Sequence, residues 1–336
     1  MRVKAGISIV LAAALATGCS AIAQEASSAP TDGVLLVANK RGDSLSRIAL
    51  ADGTETGRVD TCANPHELAV SPDGAHVAVA CYDGSTLEVY AVTDLARVKR
   101  IELGEGARPH GVVWHASGMI VASAEGRGSI FVVADPMGEA PQVTEIVSGE
   151  PGGRNGPHLL VVDKEGDTAW GTVIPTASVV RYDLANGREA GRAALSGETE
   201  AIALDPDGAS LWVGANAANR AYRLTADTLE IEHETATGAT PIRIAMHPSG
   251  RWAVTSNFAG GSLSVIDTET GEVARTIAVS GDGEAMQVTL VFSKDGTRLY
   301  AAETAHDTIA EIDFESGEVL RRLPTGAGGD GLAVIG

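Results

Sequence analysis

Asn64-Pro-His-Glu-Leu-Ala-Val-Ser-Pro-Asp-Gly74 reads as a short apolar strand, entered through Pro65-His66 and ended by a Ser-Pro-Asp-Gly turn. Five drifted copies follow, at Arg108–Gly118, Gly156–Gly166, Thr199–Gly208, Thr240–Gly250 and Gln287–Gly296. Their closing glycines, counted from Gly74 onward, are separated by 44, 48, 42, 42 and 46 residues. A period in that range, with several short strands in each unit, predicts a β-propeller rather than a solenoid of helices.

Composition agrees with this reading. The 336 residues include 40 glycines and are 44% hydrophobic, with few long amphipathic runs. That suits many short strands joined by tight turns around a filled core. A formal net charge of −19 and the lack of a basic stripe argue against nucleic acid and anionic lipid as partners. A cationic partner or ligand stays open, and a monomer is expected.

The N-terminus carries an export signal. Arg2 and Lys4 precede an apolar run, Ala5 to Thr17, that is too short to span a membrane. Ala21-Ile22-Ala23 fits a signal peptidase site, giving a signal peptide over 1–23. Leu15-Ala-Thr-Gly-Cys19 also fits a lipobox, which would remove residues 1–18 and lipidate Cys19. On either route residues 24–32 are a short tether, and residues 33–336 form one domain in the periplasm or cell envelope. A lipid anchor is then the only membrane contact expected. With Cys19 in the signal, Cys62 and Cys81 remain as an even pair in an oxidising compartment, which predicts a disulfide. In the chain-entropy picture a loop of that size stabilises by about 3 kcal/mol.

From Asn64 onward, each unit holds four strands. Residues 33–60 hold only three and lack a copy of the opening stretch. The missing strand stands at the far end, where Asp330-Gly-Leu-Ala-Val334 superposes on His66-Glu-Leu-Ala-Val70. A strand over 328–335 is therefore expected to complete the N-terminal blade. The fold class is all-β: a seven-bladed β-propeller of four-stranded antiparallel blades, closed by its own two ends.

Several of these segments resemble the YVTN family of seven-bladed β-propellers. They are the opening stretch, Leu36-Val-Ala-Asn39, Leu299-Tyr-Ala-Ala302 and Ser262-Leu-Ser-Val-Ile-Asp-Thr-Glu-Thr-Gly-Glu-Val273, which Glu311–Val319 repeats. The resemblance spans residues 33–336 and implies the fold. It implies no single activity, because the family includes exported and surface proteins and lies near sugar-lactonase-like, haem d1-type and amine-dehydrogenase β-chain propellers. No catalytic residue carries over from it.

Aligning the units on their turn glycines places one residue of each at the head of an innermost strand, on the channel face. In blade order the ring reads Asp330, His66, His110, His158, Glu200, Ile242 and Val288. Three imidazoles and two carboxylates (His66, His110, His158, Glu200 and Asp330) suit a divalent transition metal such as Zn²⁺, Cu²⁺ or Fe²⁺. The alternative is that these histidines only hydrogen-bond neighbouring loops, and a one-residue slip would turn them into the blade interface. Lys40, Tyr82 and Glu125 are expected on the same face, with Arg127, Arg154, Asn155, Asn216, Asn257 and Glu303 as ligand contacts. The face then suits a module that binds a protein or a small molecule. A metal-dependent lactonase-like hydrolase and an accessory subunit of a periplasmic redox enzyme are the alternatives. The chain has no Gly-x-Ser-x-Gly elbow and no Cys-x-x-Cys-His, which argues against a serine hydrolase and covalent c-type haem.

Overall fold

The structure, a computed structural model, describes residues 33–149 and 156–336. The expected signal peptide with Cys19, the tether over 24–32, and Arg154 and Asn155 lie outside the described residues.

Seven sheets of four strands make up the fold. The first blade takes Val34–Asn39, Ser44–Ala49 and Glu55–Asp60 from the N-terminal side and Gly329–Ile335 from the C-terminal end. The last strand runs antiparallel to Val34–Asn39, with Val34 opposite Ile335 and Leu36 opposite Ala333. The expected closure by the two ends is therefore present. The other innermost strands are Pro65–Val70, Pro109–Trp114, Leu160–Val162, Thr199–Leu204, Pro241–Met246 and Gln287–Phe292. Among the described residues, no helix is long and apolar enough to cross a membrane.

The hydrophobic pattern follows from each sheet being sandwiched between two others. Second strands such as His76–Cys81 are buried at every position after the first, because both faces are covered. Outermost strands such as Glu55–Asp60 alternate half-buried and exposed residues. Successive side chains of one strand therefore feed different interfaces. Leu35 and Val37 pack with Tyr300 and Ile309 of the seventh blade, whereas Leu36 packs with Val77 and Val79 of the second. Seven such clusters, one at each blade boundary, constitute the core.

The repeat marker has a conformational cause. Gly74, Gly118, Gly166, Gly208, Gly250 and Gly296 all have φ between +71° and +93°. An L-residue in that region costs about 1–2 kcal/mol, so glycine recurs there. Cys62 and Cys81 are bonded, with Cα atoms 5.7 Å apart. The bond ties the segment leading into the second blade to that blade's second strand.

Candidate functional site at the mouth of the central channel

Irregular backbone brings side chains to the channel mouth. The residues leading into five innermost strands are left-handed: Asn64, Arg108, Thr240 and Met286 at φ 52°, 51°, 60° and 51°, and Gly328 at 71°. Each ladder then slips. Pro65 pairs with Cys81 but Leu68 with Val79, which leaves one extra residue on the inner strand. The same bulge recurs after Pro109, Thr199, Pro241 and Gln287. A bulge presents two consecutive residues where a regular strand has one. Both His66 and Glu67 accordingly reach the mouth.

Three imidazoles stack there. The ring centres of His66 and His110 are 3.9 Å apart, and those of His110 and His158 are 3.7 Å apart. Tyr82 stands edge-on to the first two, at 5.4 and 5.3 Å. His158 is held at both nitrogens: Nδ1 by Glu125, and Nε2 by Glu200 at 3.2 Å. Two carboxylate partners make both nitrogens donors, so the ring is an imidazolium. Tyr82 donates to the other oxygen of Glu125 at 2.6 Å.

A frame of charge surrounds the stack. Arg243 donates to Glu200 at 2.7 Å and to Glu67 at 2.9 Å. Asn216 donates to Glu200 at 2.6 Å. Lys40 and Thr289 donate to Asp330 at 2.7 and 3.2 Å. His66 and His110 stand apart from this frame, because their Nδ1 atoms are buried and make no hydrogen bond. The carboxylate oxygens nearest His66 Nδ1 are those of Asp330 at 3.5 Å and Glu67 at 3.9 Å. Below the mouth, Glu67, Arg243 and Thr289 cap a cavity of about 200 Å³ lined otherwise by apolar residues such as Val112, Leu160, Ile202 and Leu332.

The same burial acts differently on each group. It pushes His66 down to about 4 despite the nearby Asp330 carboxylate, and pushes His110 well below the usual imidazole range. Burial would lower His158 as well, but Glu200 and Glu125 outweigh it and raise the ring to about 9. Burial raises Glu67 even though Arg243 opposes it. Burial is outweighed in Asp330 by the neighbouring His66 ring and the Lys40 and Arg243 cations, and in Glu200 by the His158 and Arg243 cations. Both carboxyls are held low. The site thus contains two neutral imidazoles, one charged imidazole, and carboxylates in unlike states.

Of the residues expected at the site, His66, His110, His158, Glu200 and Asp330 do converge, and Asn216 joins them through Glu200. Three of the expected ligand contacts are instead tied into their own blades by internal bonds. Arg127 forks onto Glu145 at 2.8 Å. Asn257 is fully buried, donating to Ser262 and Ser264 and accepting from Thr255. Glu303 is fully buried under Arg322 and Thr308. The apolar positions expected at Ile242 and Val288 are joined by polar neighbours. The bulge brings Arg243 and Thr289, one residue further on, to the mouth. Glu67 and Arg243 were missed by sequence reasoning. Their signal was a charge interrupting an otherwise apolar innermost strand, in Pro-His-Glu-Leu-Ala-Val and in Pro-Ile-Arg-Ile-Ala.

No family model and no curated protein matches the sequence. Solved structures share the fold over most of the chain. A chain of the hydrazine synthase of Kuenenia stuttgartiensis is 12% identical, with a TM-score of 0.69 over 81% of this chain and 95% of its own. The dihydro-heme d1 dehydrogenase NirN, in complex with DHE, is 15% identical, with a TM-score of 0.66 over 90% of this chain and 75% of its own. A protein of unknown function from Desulfotomaculum acetoxidans is 12% identical, with a TM-score of 0.75 over 90% of this chain and 99% of its own. At these identities the likeness is one of fold alone. The resemblance to YVTN propellers therefore stands at the level of the seven-bladed architecture.

Proposed function

We propose that this chain is an exported binding module whose working surface is the channel mouth, and that its ligand presents positive charge. One observation carries the reading: four buried or half-buried carboxylates (Glu67, Glu125, Glu200 and Asp330) are bonded to three cations (Lys40, His158 and Arg243), with the Nδ1 atoms of two neutral imidazoles left without a hydrogen bond beside them. When all four acids ionise, they outnumber by one the cations bonded to them, Arg108 acting on Glu125 only at longer range. Burying ions costs several kcal/mol each, and an apolar plug in the same place is often as stable or more so. Apolar residues line the cavity just below the frame, so apolar groups could have stood in its place. The left-handed lead-in residues point the same way, since conformational strain collects where a site must be held in shape. The disulfide supports export, because such bonds persist in oxidising compartments.

The test is a thermal-shift screen of the purified protein at low ionic strength. Putrescine, choline and divalent metal salts serve as cations, with acetate and phosphate as anions. A ligand at a hundredfold excess over its Kd stabilises by about 2.7 kcal/mol, a shift of several degrees. Cations are expected to raise Tm in the wild type but not in Asp330→Asn/Glu67→Gln. An equal shift with the anions, or no shift with any cation, would overturn the reading.

A second reading makes the same face the docking point of an exported redox enzyme. The fold shared with chains described as hydrazine synthase and dihydro-heme d1 dehydrogenase supports it. Affinity capture from a native periplasmic extract decides, with a haem- or quinone-bearing partner lost in Glu67→Lys as the expected result.

A further inference from the structure

Resting on the channel-mouth reading, we propose that His66, Glu67 and His110 form a site for one divalent transition metal ion, with Zn²⁺ the best fit. One imidazole nitrogen from each histidine and one carboxylate oxygen of Glu67 lie within 4.8 Å of one another. Tetrahedral Zn²⁺ with bonds near 2.0–2.1 Å sets its ligands about 3.4 Å apart, so small side-chain rotations close the triangle. Proximity alone would not carry the assignment. The second observation is that His66 and His110 each bury an Nδ1 atom with no hydrogen-bond partner, His110 being only 2% exposed. A buried nitrogen left unpaired costs about 1–3 kcal/mol, and coordination relieves that cost.

The surroundings select which residues ligate. His158 has both nitrogens committed to Glu125 and Glu200, and Glu200 is further held by Arg243 and Asn216. Neither offers a free lone pair in the right place. Glu67 bonds Arg243 through Oε1 alone, the oxygen 3.9 Å from His66 Nδ1, and keeps Oε2 to turn onto an ion. Asp330, fixed by Lys40 and Thr289, stands 3.5 Å from His66 Nδ1, so its carboxylate adds negative charge beside the ion. Two imidazole nitrogens and one carboxylate oxygen favour Zn²⁺ or Cu²⁺ over Ca²⁺ or Mg²⁺, which take all-oxygen shells. Three protein ligands leave a fourth position for water or for a group on the ligand. The other clustered set, Cys62, Cys81 and Glu88, holds no metal because its sulfurs are joined.

The full chain, purified from an exporting host and stripped with a chelator, is titrated with Zn²⁺ by calorimetry and with Co²⁺ by absorption. The expected result is one equivalent bound at sub-micromolar Kd, with the visible bands of Co²⁺ in a nitrogen and oxygen site of low coordination number. His66→Gln and His110→Gln each weaken binding at least about 100-fold, and Glu67→Gln weakens it about 10-fold or more. His76→Gln, at a turn away from the mouth, changes nothing. Circular dichroism and Tm confirm that each variant is folded. Failure of Zn²⁺ and Co²⁺ to bind the wild type, or unchanged stoichiometry in folded His66→Gln/His110→Gln, overturns the metal site. If putrescine still binds in that case, the channel-mouth reading survives and only the metal falls.

Discussion

Replacing Arg243 by alanine would leave Glu67 and Glu200 buried without the guanidinium that bonds them at 2.9 and 2.7 Å. Removing one partner of a buried ion pair costs far more than removing both, because the remaining charge has lost its water and its counter-ion. Arg243→Ala is therefore expected to lose about 3–5 kcal/mol, read as a fall in the urea midpoint. Arg243→Lys recovers only part of this, since an ammonium cannot fork across two carboxylates. The triple change Arg243→Met/Glu67→Leu/Glu200→Gln should recover most of that loss, since the Gln oxygen still accepts from His158 Nε2. A loss below about 1 kcal/mol in Arg243→Ala would mean that the acids are hydrated and the frame is not a buried network. At this scale the sequence was half legible. Its periodicity located His66, His110, His158, Glu200 and Asp330. That two neighbouring residues reach the channel depends on the bulge, and no residue type encodes a bulge at those positions.

Between residue and molecule, the turns that end the innermost strands differ in a telling way. In the second blade Ser71 Oγ donates to Asp73 at 2.5 Å and accepts from the His76 backbone N–H at 2.9 Å. The seventh blade repeats this with Ser293, Asp295 and Arg298, at 2.6 and 2.9 Å. In the fifth blade the serine position is Asp205, in Asp205-Pro-Asp-Gly208. Burial raises its carboxyl to about 6; Arg223 opposes the rise, and Asp207 adds to it. A carboxyl whose folded pKa exceeds its unfolded value binds its proton more tightly in the fold. Ionisation therefore destabilises, and stability declines as pH rises from about 4 to about 6. Asp205→Ser restores the Ser-Pro-Asp-Gly turn and removes that charge. Its expected gain is on the order of 1–2 kcal/mol above pH 6, allowing for partial hydration, and it shrinks toward zero near pH 4. Urea midpoints across that range decide, and parallel profiles for the two proteins would refute the assignment. The turns were the most legible part of the chain, because glycine holds the left-handed φ at the end of all six copies of the opening stretch. Arg127, Asn257 and Glu303 were hard to read for the opposite reason. A polar residue at a strand end looks the same in sequence whether it faces a ligand or ties its own blade together.

Across the whole molecule, the eight C-terminal residues 329–336 carry more than their number suggests. Leu332 belongs to the cluster between the seventh and first blades, and Ala333 to the cluster between the first and second. The strand also pairs along Val34–Asn39, and it delivers Asp330 to the Lys40 ammonium and the Thr289 hydroxyl. One short segment thus closes the ring, seals two of its seven interfaces and supplies one wall of the channel mouth. Removing residues 329–336 would strip the apolar strand Val34-Leu-Leu-Val-Ala-Asn39 of its inner partner and open both clusters to water. An open apolar edge pairs readily with another chain. The truncated protein is expected to elute as aggregate in size-exclusion chromatography and to lose its cooperative melting transition. Asp330→Asn separates closure from charge, because it keeps the strand and the ladder. That variant should elute as the wild type does and melt in one transition at a lower temperature. A truncated chain that keeps the wild-type elution and Tm would show that blade-to-blade packing alone holds the ring. The closing strand would then serve the channel mouth and not the fold.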